Sequence, residues 1–332
     1  MRRLYLIVNA YTERVHYFLF GQTMGEGMAL FVRQLSISFM GLIAANGIFF
    51  AAMLYIGRAL GPETFGRFSL TIAIGQLLVI PMMLGMDVAA MRGVAVEQLL
   101  LWQKRYITAG FIVVMMGALT VAAIVFGFKQ YWESALTLPR GALAMAAVLA
   151  MSLAFRNYFD AVARGLGRFK VQALVRMAEA LIALGAAVVL AWLGSQNRWR
   201  GFVGAIITAA TSASLLYIAG GELGSFISFA QWRTATAWHM WRYIRFGMLG
   251  ALGAVMLVSA DKILVGRIFG APQLGIYAAY HLLSVQVALQ LSYVFINVFF
   301  PAVSRQRNKQ AVLRKLDRLA VYFTGPALAL SV

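Results

Sequence analysis

The stretch GRALGPETFGRF, residues 57–68, lies between two long apolar runs, and GRIFGAPQLGIY, residues 266–277, repeats its pattern 209 positions later. Both copies fit G-R-x-[LF]-G-x-x-x-[FL]-G-x-[FY]. Glycine allows positive φ and close packing, and proline suits the first turn of a helix, so each copy predicts a helix end, a tight turn and a new helix. The matched pairs are Gly57 with Gly266, Arg58 with Arg267, Gly61 with Gly270, Gly66 with Gly275, and Phe68 with Tyr277.

Two interpretations of the repeat remain open. Short loops between membrane helices favour Gly and Pro, so two of them can resemble each other without a common origin. Five matched positions at a single offset favour a duplication. An even number of spans separates the copies, so the duplicated units run parallel, an arrangement that places a transport site between two halves.

The composition excludes a soluble globular protein. Hydrophobic residues make up 62% of the 332 residues and charged residues only 12%. A water-soluble core of this size cannot hide that much apolar surface. There is no cysteine, which excludes disulfides and thiolate metal sites.

Charge-poor apolar runs of about 20 residues, long enough to cross ~30 Å of hydrocarbon as helices, predict eight membrane spans. We number them spans 1 to 8, and they lie at 36–57, 68–86, 106–128, 141–163, 177–193, 201–221, 246–266 and 276–303. The apolar stretch 319–332 is too short to cross, so the chain is expected to stop inside a ninth span. The predicted fold class is an all-α polytopic membrane protein of two parallel-repeat helix bundles, the second incomplete.

The basic residues predict the orientation and the domains. The N-terminal tail and the loops after even-numbered spans hold 21 of the 29 Lys and Arg residues, which puts the N-terminus in the cytoplasm. The net charge of +18 is thereby explained by topology, and no nucleic-acid partner is expected. The expected domains are a cytoplasmic tail or interfacial helix at 1–35, a six-helix bundle at 36–221, a cytoplasmic connection at 222–245, and the start of a second bundle at 246–332.

Several segments resemble a known transporter family. LGPETFGRFSL at 60–70, GMDVAAMRGVA at 85–95, ADKILVGRIFGAPQLGIYAAYHLL at 260–283 and FFPAVSRQ at 299–306 are similar to the polysaccharide transporter, or oligosaccharide flippase, family of the multidrug/oligosaccharidyl-lipid/polysaccharide exporter superfamily. The resemblance implies a bacterial inner-membrane protein that moves undecaprenyl-pyrophosphate-linked glycan outward. It also implies an acidic and basic pair at Asp261 and Lys262.

Polar residues at membrane depth are the candidate functional residues, because each is costly there unless it faces a partner or a wet cavity. Asn46, Gln76 and Gln286 are predicted near the midplane, where hydrogen bonding between helices and a cavity role are equally good explanations. Lys262 and Arg245 are candidates for contacting a pyrophosphate. Asp261 is a candidate for binding a coupling proton or Na⁺.

Other charged pairs favour a structural interpretation. Arg156 and Asp160 are spaced i, i+4 and are predicted to pair on one face of span 4, a structural role that we favour over contact with substrate. Arg176 and Glu179 begin span 5 with the same ambiguity between structure and substrate binding. Asp87 is expected at the membrane interface after a kink at Pro81.

The predicted function is alternating-access export of lipid-linked oligosaccharide. Membrane lipids, a polysaccharide polymerase and a chain-length regulator are the candidate partners. The alternatives are ion-coupled drug efflux, a membrane glycosyltransferase or ligase, and a truncated chain that does not transport. No nucleotide-binding loop is present, His16, His239 and His281 lack metal-ligand spacing, and neither a cofactor nor a catalytic constellation is expected.

Overall fold

The computed structural model describes residues 26–97, 99–135, 138–193, 198–220 and 223–286. The chain divides into two compact units, one of residues 40–286 and one of 1–39 with 287–332. All side-chain contacts below lie in the unit 40–286. Residues 1–25 of the predicted tail at 1–35, the end of span 8 and the ninth span lie outside the described residues, while residues 26–35 of that tail belong to the first long helix.

Helices form all the long elements of the described residues, which contain no strand. This confirms the predicted all-α polytopic class. In chain order they are α1 (Glu26–Met83), α2 (Met86–Val96), α3 (Leu100–Gly127), α4 (Lys129–Ala135), α5 (Ala142–Gly165), α6 (Phe169–Leu193), α7 (Arg198–Ala219), α8 (Thr234–Val255), α9 (Asp261–Phe269) and α10 (Ala271–His281).

Five helical segments are long and apolar enough to cross a membrane: Met40–Met83, Leu100–Gly127, Ala142–Gly165, Phe169–Leu193 and Trp199–Ala219. The first is 44 residues long and contains spans 1 and 2, which meet at the non-helical Gly61. The other four correspond to spans 3 to 6. A multi-pass membrane protein is therefore supported by length and composition.

Several predicted boundaries are wrong by up to a dozen residues. Span 2 ends at Met83 rather than at residue 86, because Leu84 and Gly85 have positive φ and break the helix. Pro81 lies inside α1, so the break follows it by a turn. Helix α8 begins at Thr234, well before the predicted start of span 7 at residue 246, because the charged residues that close the apolar run do not end the helix.

The short helix α2 was missed by the sequence analysis. Its eleven residues include Asp87 and Arg92, and it is too short to resemble a membrane span. Its buried residues recur on one face, at Met86, Ala89, Ala90 and Val94. Asp87 lies in the first turn of this helix, where a carboxylate is favourable.

We call helices α1 to α7 the first half and the described residues from 223 onward the second half. The core of the first half is built from small residues and aromatic rings. Helix α5 contributes a nearly continuous buried face that includes Ala146, Ala150 and Ala154, each fully buried. Small side chains let neighbouring helices approach closely, which is how membrane helices pack without a hydrophobic driving force. Phe111 of α3 packs against the rings of Phe155, Tyr158 and Phe159 in α5.

The two copies of the repeated phrase have the same backbone conformation. Gly61 has φ 71° and ψ 170°, and Gly270 has φ 83° and ψ 178°. This region of φ and ψ is essentially restricted to glycine. In both copies a helix stops at the glycine and the next helix starts within one residue, so the predicted helix end and restart are observed twice.

Candidate functional site

A cluster of four polar side chains joins α9 to α10. Asp261 begins α9 and accepts a hydrogen bond from the Tyr277 hydroxyl on one oxygen and from the Lys262 backbone N–H, at 2.7 Å, on the other. The Nε2 atom of His281 lies 3.6 Å from the same carboxylate. The Lys262 ammonium donates to the Val258 carbonyl at 2.8 Å. We call Asp261, Lys262, Tyr277 and His281 the acidic cluster.

The backbone around the acidic cluster departs from a regular α-helix on both sides. A π-helical turn, Met256–Ala260, ends immediately before Asp261, and a second, Leu282–Gln286, begins immediately after His281. Single π-helical turns are rare and frequently occur at functional sites. Their placement at both edges of the cluster distinguishes it from a structural ion pair in a regular helix.

A hydrogen bond joins the first half of the chain to the π-helical turn that precedes the cluster. The Ser259 hydroxyl, in the first π-helical turn, donates to the Gln76 side-chain oxygen at 2.9 Å. Ser259 is fully buried. Gln76 lies 15 residues beyond Gly61, or about 22 Å along the helix. This bond places a predicted site residue of the first half beside the second half.

A second polar group lies inside the first half, at the predicted cytoplasmic end of α5. Asp160 is 2% exposed and accepts hydrogen bonds from Tyr217 at 2.7 Å, Gln172 at 3.1 Å, Arg164 at 3.2 Å and Arg176 at 3.3 Å. These residues belong to α5, α6 and α7. We call Asp160 and these four partners, Arg164, Gln172, Arg176 and Tyr217, the arginine network.

The arginine network also includes a second carboxylate, Glu179. It pairs with Arg176 at 3.2 Å and lies 3.6 Å from Nε of Arg156. The Arg176–Glu179 pair is as predicted. Arg156 was predicted to pair with Asp160, and it faces Glu179 instead, because α6 packs beside α5 and brings its carboxylate closer. Bridging three helices, the network has the arrangement of a structural brace.

Residues 31–306 match the family described as "Polysaccharide biosynthesis protein". The chain belongs to that family. The resemblance inferred from residues 60–70 and 260–283 is thereby confirmed. No curated protein matches the chain in sequence.

A solved structure shares the fold of this polysaccharide biosynthesis family member. It is described as the inward-facing conformation of a multidrug resistance MATE family transporter of the MOP superfamily. The TM-score is 0.58 at 13% sequence identity, and the match covers 81% of this chain. The chain spans 63% of the length of that transporter. At this identity the likeness shows the fold alone.

The structure brings together only part of the predicted site. Asp261, Lys262 and Gln76 are within one connected region, and Asn46 lies half-buried in the first part of α1. The backbone of Arg245 is in α8 and that of Gln286 ends the second π-helical turn, while their side chains lie outside the described residues. Arg58 and Arg267 are exposed beside their turns.

Sequence reasoning missed three members of the site. His281 was considered only as a metal ligand, Tyr277 only as a repeat position, and Ser259 was not singled out. The one available signal was spacing, since Tyr277 and His281 are four residues apart and therefore share a helix face.

The Gln76–Ser259 bond is expected to contribute measurably to the contact between the halves. Replacing Ser259 by alanine or Gln76 by leucine should each lower stability by about 1 kcal/mol, with a coupling energy between them of about 0.6 kcal/mol or more. Melting temperatures of both single variants and the double variant of the purified protein test this. Thr211→Val is a control, because its hydroxyl bond to Ser152 is exposed. Strict additivity of the two substitutions would contradict the bond.

Proposed function

We propose that this protein is a flippase that exports an undecaprenyl-pyrophosphate-linked oligosaccharide across the bacterial cytoplasmic membrane by alternating access, with its N-terminus in the cytoplasm. The family supports a role in polysaccharide biosynthesis, and the transporter fold supports movement of a substrate. The glycan head group uses a polar path between the halves, while the lipid tail stays in the bilayer.

The observation that carries the proposal is the acidic cluster, joined to the first half by the Ser259–Gln76 bond. Charged groups inside a membrane mark substrate or ion pathways. Here Asp261 and Lys262 directly follow the π-helical turn through which the second half contacts Gln76 of the first. A rearrangement between the halves therefore changes the surroundings of the cluster directly.

Lys262 has a suitable arrangement for a phosphate contact. Its ammonium donates to a neutral carbonyl, that of Val258. A pyrophosphate oxygen is a stronger acceptor because the bond is charge-assisted. We assign Lys262, with Arg245, to the pyrophosphate and Asn46, Gln76 and Gln286 to the polar path.

Asp261 is assigned to the coupling ion, a proton or Na⁺. Its carboxylate is bound by groups of both α9 and α10, so a change in its charge alters how these helices hold together. Such a link is what ion coupling requires, because the ion must favour one arrangement of the helices over another.

Chromosomal Asp261→Asn and Lys262→Ala substitutions in the host strain test the proposal. Each is expected to lower surface glycan about tenfold, the loss of roughly one charge-assisted contact, while lipid-linked oligosaccharide accumulates inside. Lys170→Ala is the matched control, since Lys170 is an exposed lysine in the first turn of α6, away from the cluster. Protein abundance in the membrane must remain equal. Unchanged surface glycan in both variants would show that the assignments are wrong.

A further inference from the structure

The two copies of the repeated phrase pack against each other. At Gly66 an added Cβ would overlap the Ala271 carbonyl oxygen and come within 3.0 Å of the Gly275 backbone N. At Gly275 it would overlap the Pro62 carbonyl oxygen and come within 3.1 Å of the Gly66 backbone N. We call this contact between Pro62–Gly66 and Ala271–Gly275 the glycine crossing.

The glycine crossing has local two-fold symmetry. Adding 209 to Pro62 and Gly66 gives 271 and 275, so each copy presents the same two positions to the other. Beside it, the site of a Gly266 Cβ lies 3.4 Å from a methyl group of Leu70. A repeat that arose only because short loops favour Gly and Pro predicts no such reciprocal contact.

Two features allow the two helices of the glycine crossing to move apart. At its centre backbone meets backbone, so no side chains interlock between Gly66 and Gly275 and hold the helices together. Each crossing helix also begins directly after a glycine in a backbone region closed to other residues, Gly61 or Gly270. Glycine at both positions gives each helix a point about which it can swing.

The crossing is connected to the acidic cluster through α10. Gly275 lies in the crossing, and Tyr277, two residues later, donates to Asp261 on α9. A swing of α10 about Gly270 therefore acts on the crossing and on the Tyr277–Asp261 bond together. A movement of α10 therefore changes both the glycine crossing and the surroundings of Asp261, the candidate coupling residue.

We propose that the glycine crossing is a reversible seal between the two halves, closed in this structure and opened when α10 and the second part of α1 swing about Gly270 and Gly61. Its biological consequence rests on the proposed alternating access. The physical opening does not, and it is measurable without substrate.

Thiol labelling tests the seal, since the chain has no native cysteine. Leu70→Cys is placed beside the crossing, where the native side chain is 9% exposed. Purified protein is reconstituted into liposomes with a membrane-impermeant maleimide on both faces. A reversible seal predicts slow labelling that runs to completion, whereas Ala118→Cys, fully buried inside the first half, remains unlabelled.

Glycine substitutions then test the contact itself. Gly66→Ala and Gly275→Ala in the Leu70→Cys background are each expected to accelerate labelling at least about fivefold, because a methyl group cannot fit against the facing carbonyl. Gly185→Ala is the matched control, since a Cβ there meets nothing within 4 Å. Labelling of Ala118→Cys in the same variants reports any general unfolding.

The outcomes separate the seal from the transport proposal. If Leu70→Cys labels no faster than Ala118→Cys, the crossing is permanent and the seal is wrong. If Gly66→Ala and Gly275→Ala behave like Gly185→Ala, the glycines do not hold the crossing closed and the proposal also fails. Neither result depends on glycan export, so failure of the export assay with normal labelling would count against the proposed substrate alone.

Discussion

Asp160→Ala is expected to destabilise the protein more than any other single substitution in the arginine network. Asp160 is 2% exposed and pairs with both Arg164 and Arg176. Removing Asp160 takes the carboxylate from Arg164, whose side chain is 26% exposed, and leaves Arg176 with Glu179. We therefore expect the lower end of the cost of breaking a buried pair, about 3 kcal/mol. For a chain of this size we expect the melting temperature in detergent to fall on the order of 10 °C.

Two milder variants make this expectation specific to the buried carboxylate. Tyr217→Phe removes one hydrogen bond to Asp160 and should cost about 1.5–3 kcal/mol. Glu63→Ala removes an exposed ion pair with Arg67 and should cost less than about 0.5 kcal/mol. The order Asp160→Ala, Tyr217→Phe, Glu63→Ala is the prediction, and equal effects of the first and last would show that the network does not form.

The arginine network and the acidic cluster have different consequences when altered. The network joins α5, α6 and α7 within the first half, so its loss should lower stability, and any fall in export should follow the amount of folded protein. The cluster joins α9 to α10 beside the contact between halves, so its loss should lower export at constant protein abundance. Comparing Asp160→Ala with Asp261→Asn therefore separates folding from transport.

The sequence was sufficient for the number and order of spans 1 to 6. An apolar run of about 20 residues has few alternatives to a membrane helix, because every backbone polar group must be satisfied inside the bilayer. The short helix α2 was not predicted because it lacks a long apolar run. Its eleven residues bury only one face, and the charged residues Asp87 and Arg92 make the segment resemble a loop.

Contacts between distant residues could not be predicted in the same way. Tyr217 meets Asp160 across 57 positions, and Ser259 meets Gln76 across 183. Apolar periodicity identifies which segments are helices, but it does not say which helices become neighbours. The π-helical turns were equally hidden, since no residue type marks an inserted backbone position in MLVSA or LLSVQ.

The repeated phrase was understood in part. The glycines at 61 and 270 predicted a turn and a restart, and both are observed. The glycines at 66 and 275 also suggested close packing, but not against each other. Reciprocal contact depends on how the two halves meet, and that is a property of the whole fold.

The effect of replacing a glycine by alanine on stability should depend strongly on its position in the fold. Gly117 provides the clearest case. It lies in α3, where an added Cβ would come within 2.5 Å of the Met82 carbonyl oxygen at the end of α1. Both groups are helix backbone, so neither can move aside as a flexible side chain can. Gly117→Ala is expected to destabilise the protein by about 2–3 kcal/mol through overpacking.

Gly204→Ala is the matched control and should have the opposite sign. Gly204 is in the interior of α7, and a Cβ there meets nothing within 4 Å. Alanine lowers the conformational entropy of the unfolded chain and favours a helix, which stabilises by about 0.5–1 kcal/mol. Melting temperatures in one detergent should therefore move in opposite directions for Gly117→Ala and Gly204→Ala. A fall at both positions would mean that glycine is needed for backbone flexibility rather than for the approach of α3 to α1.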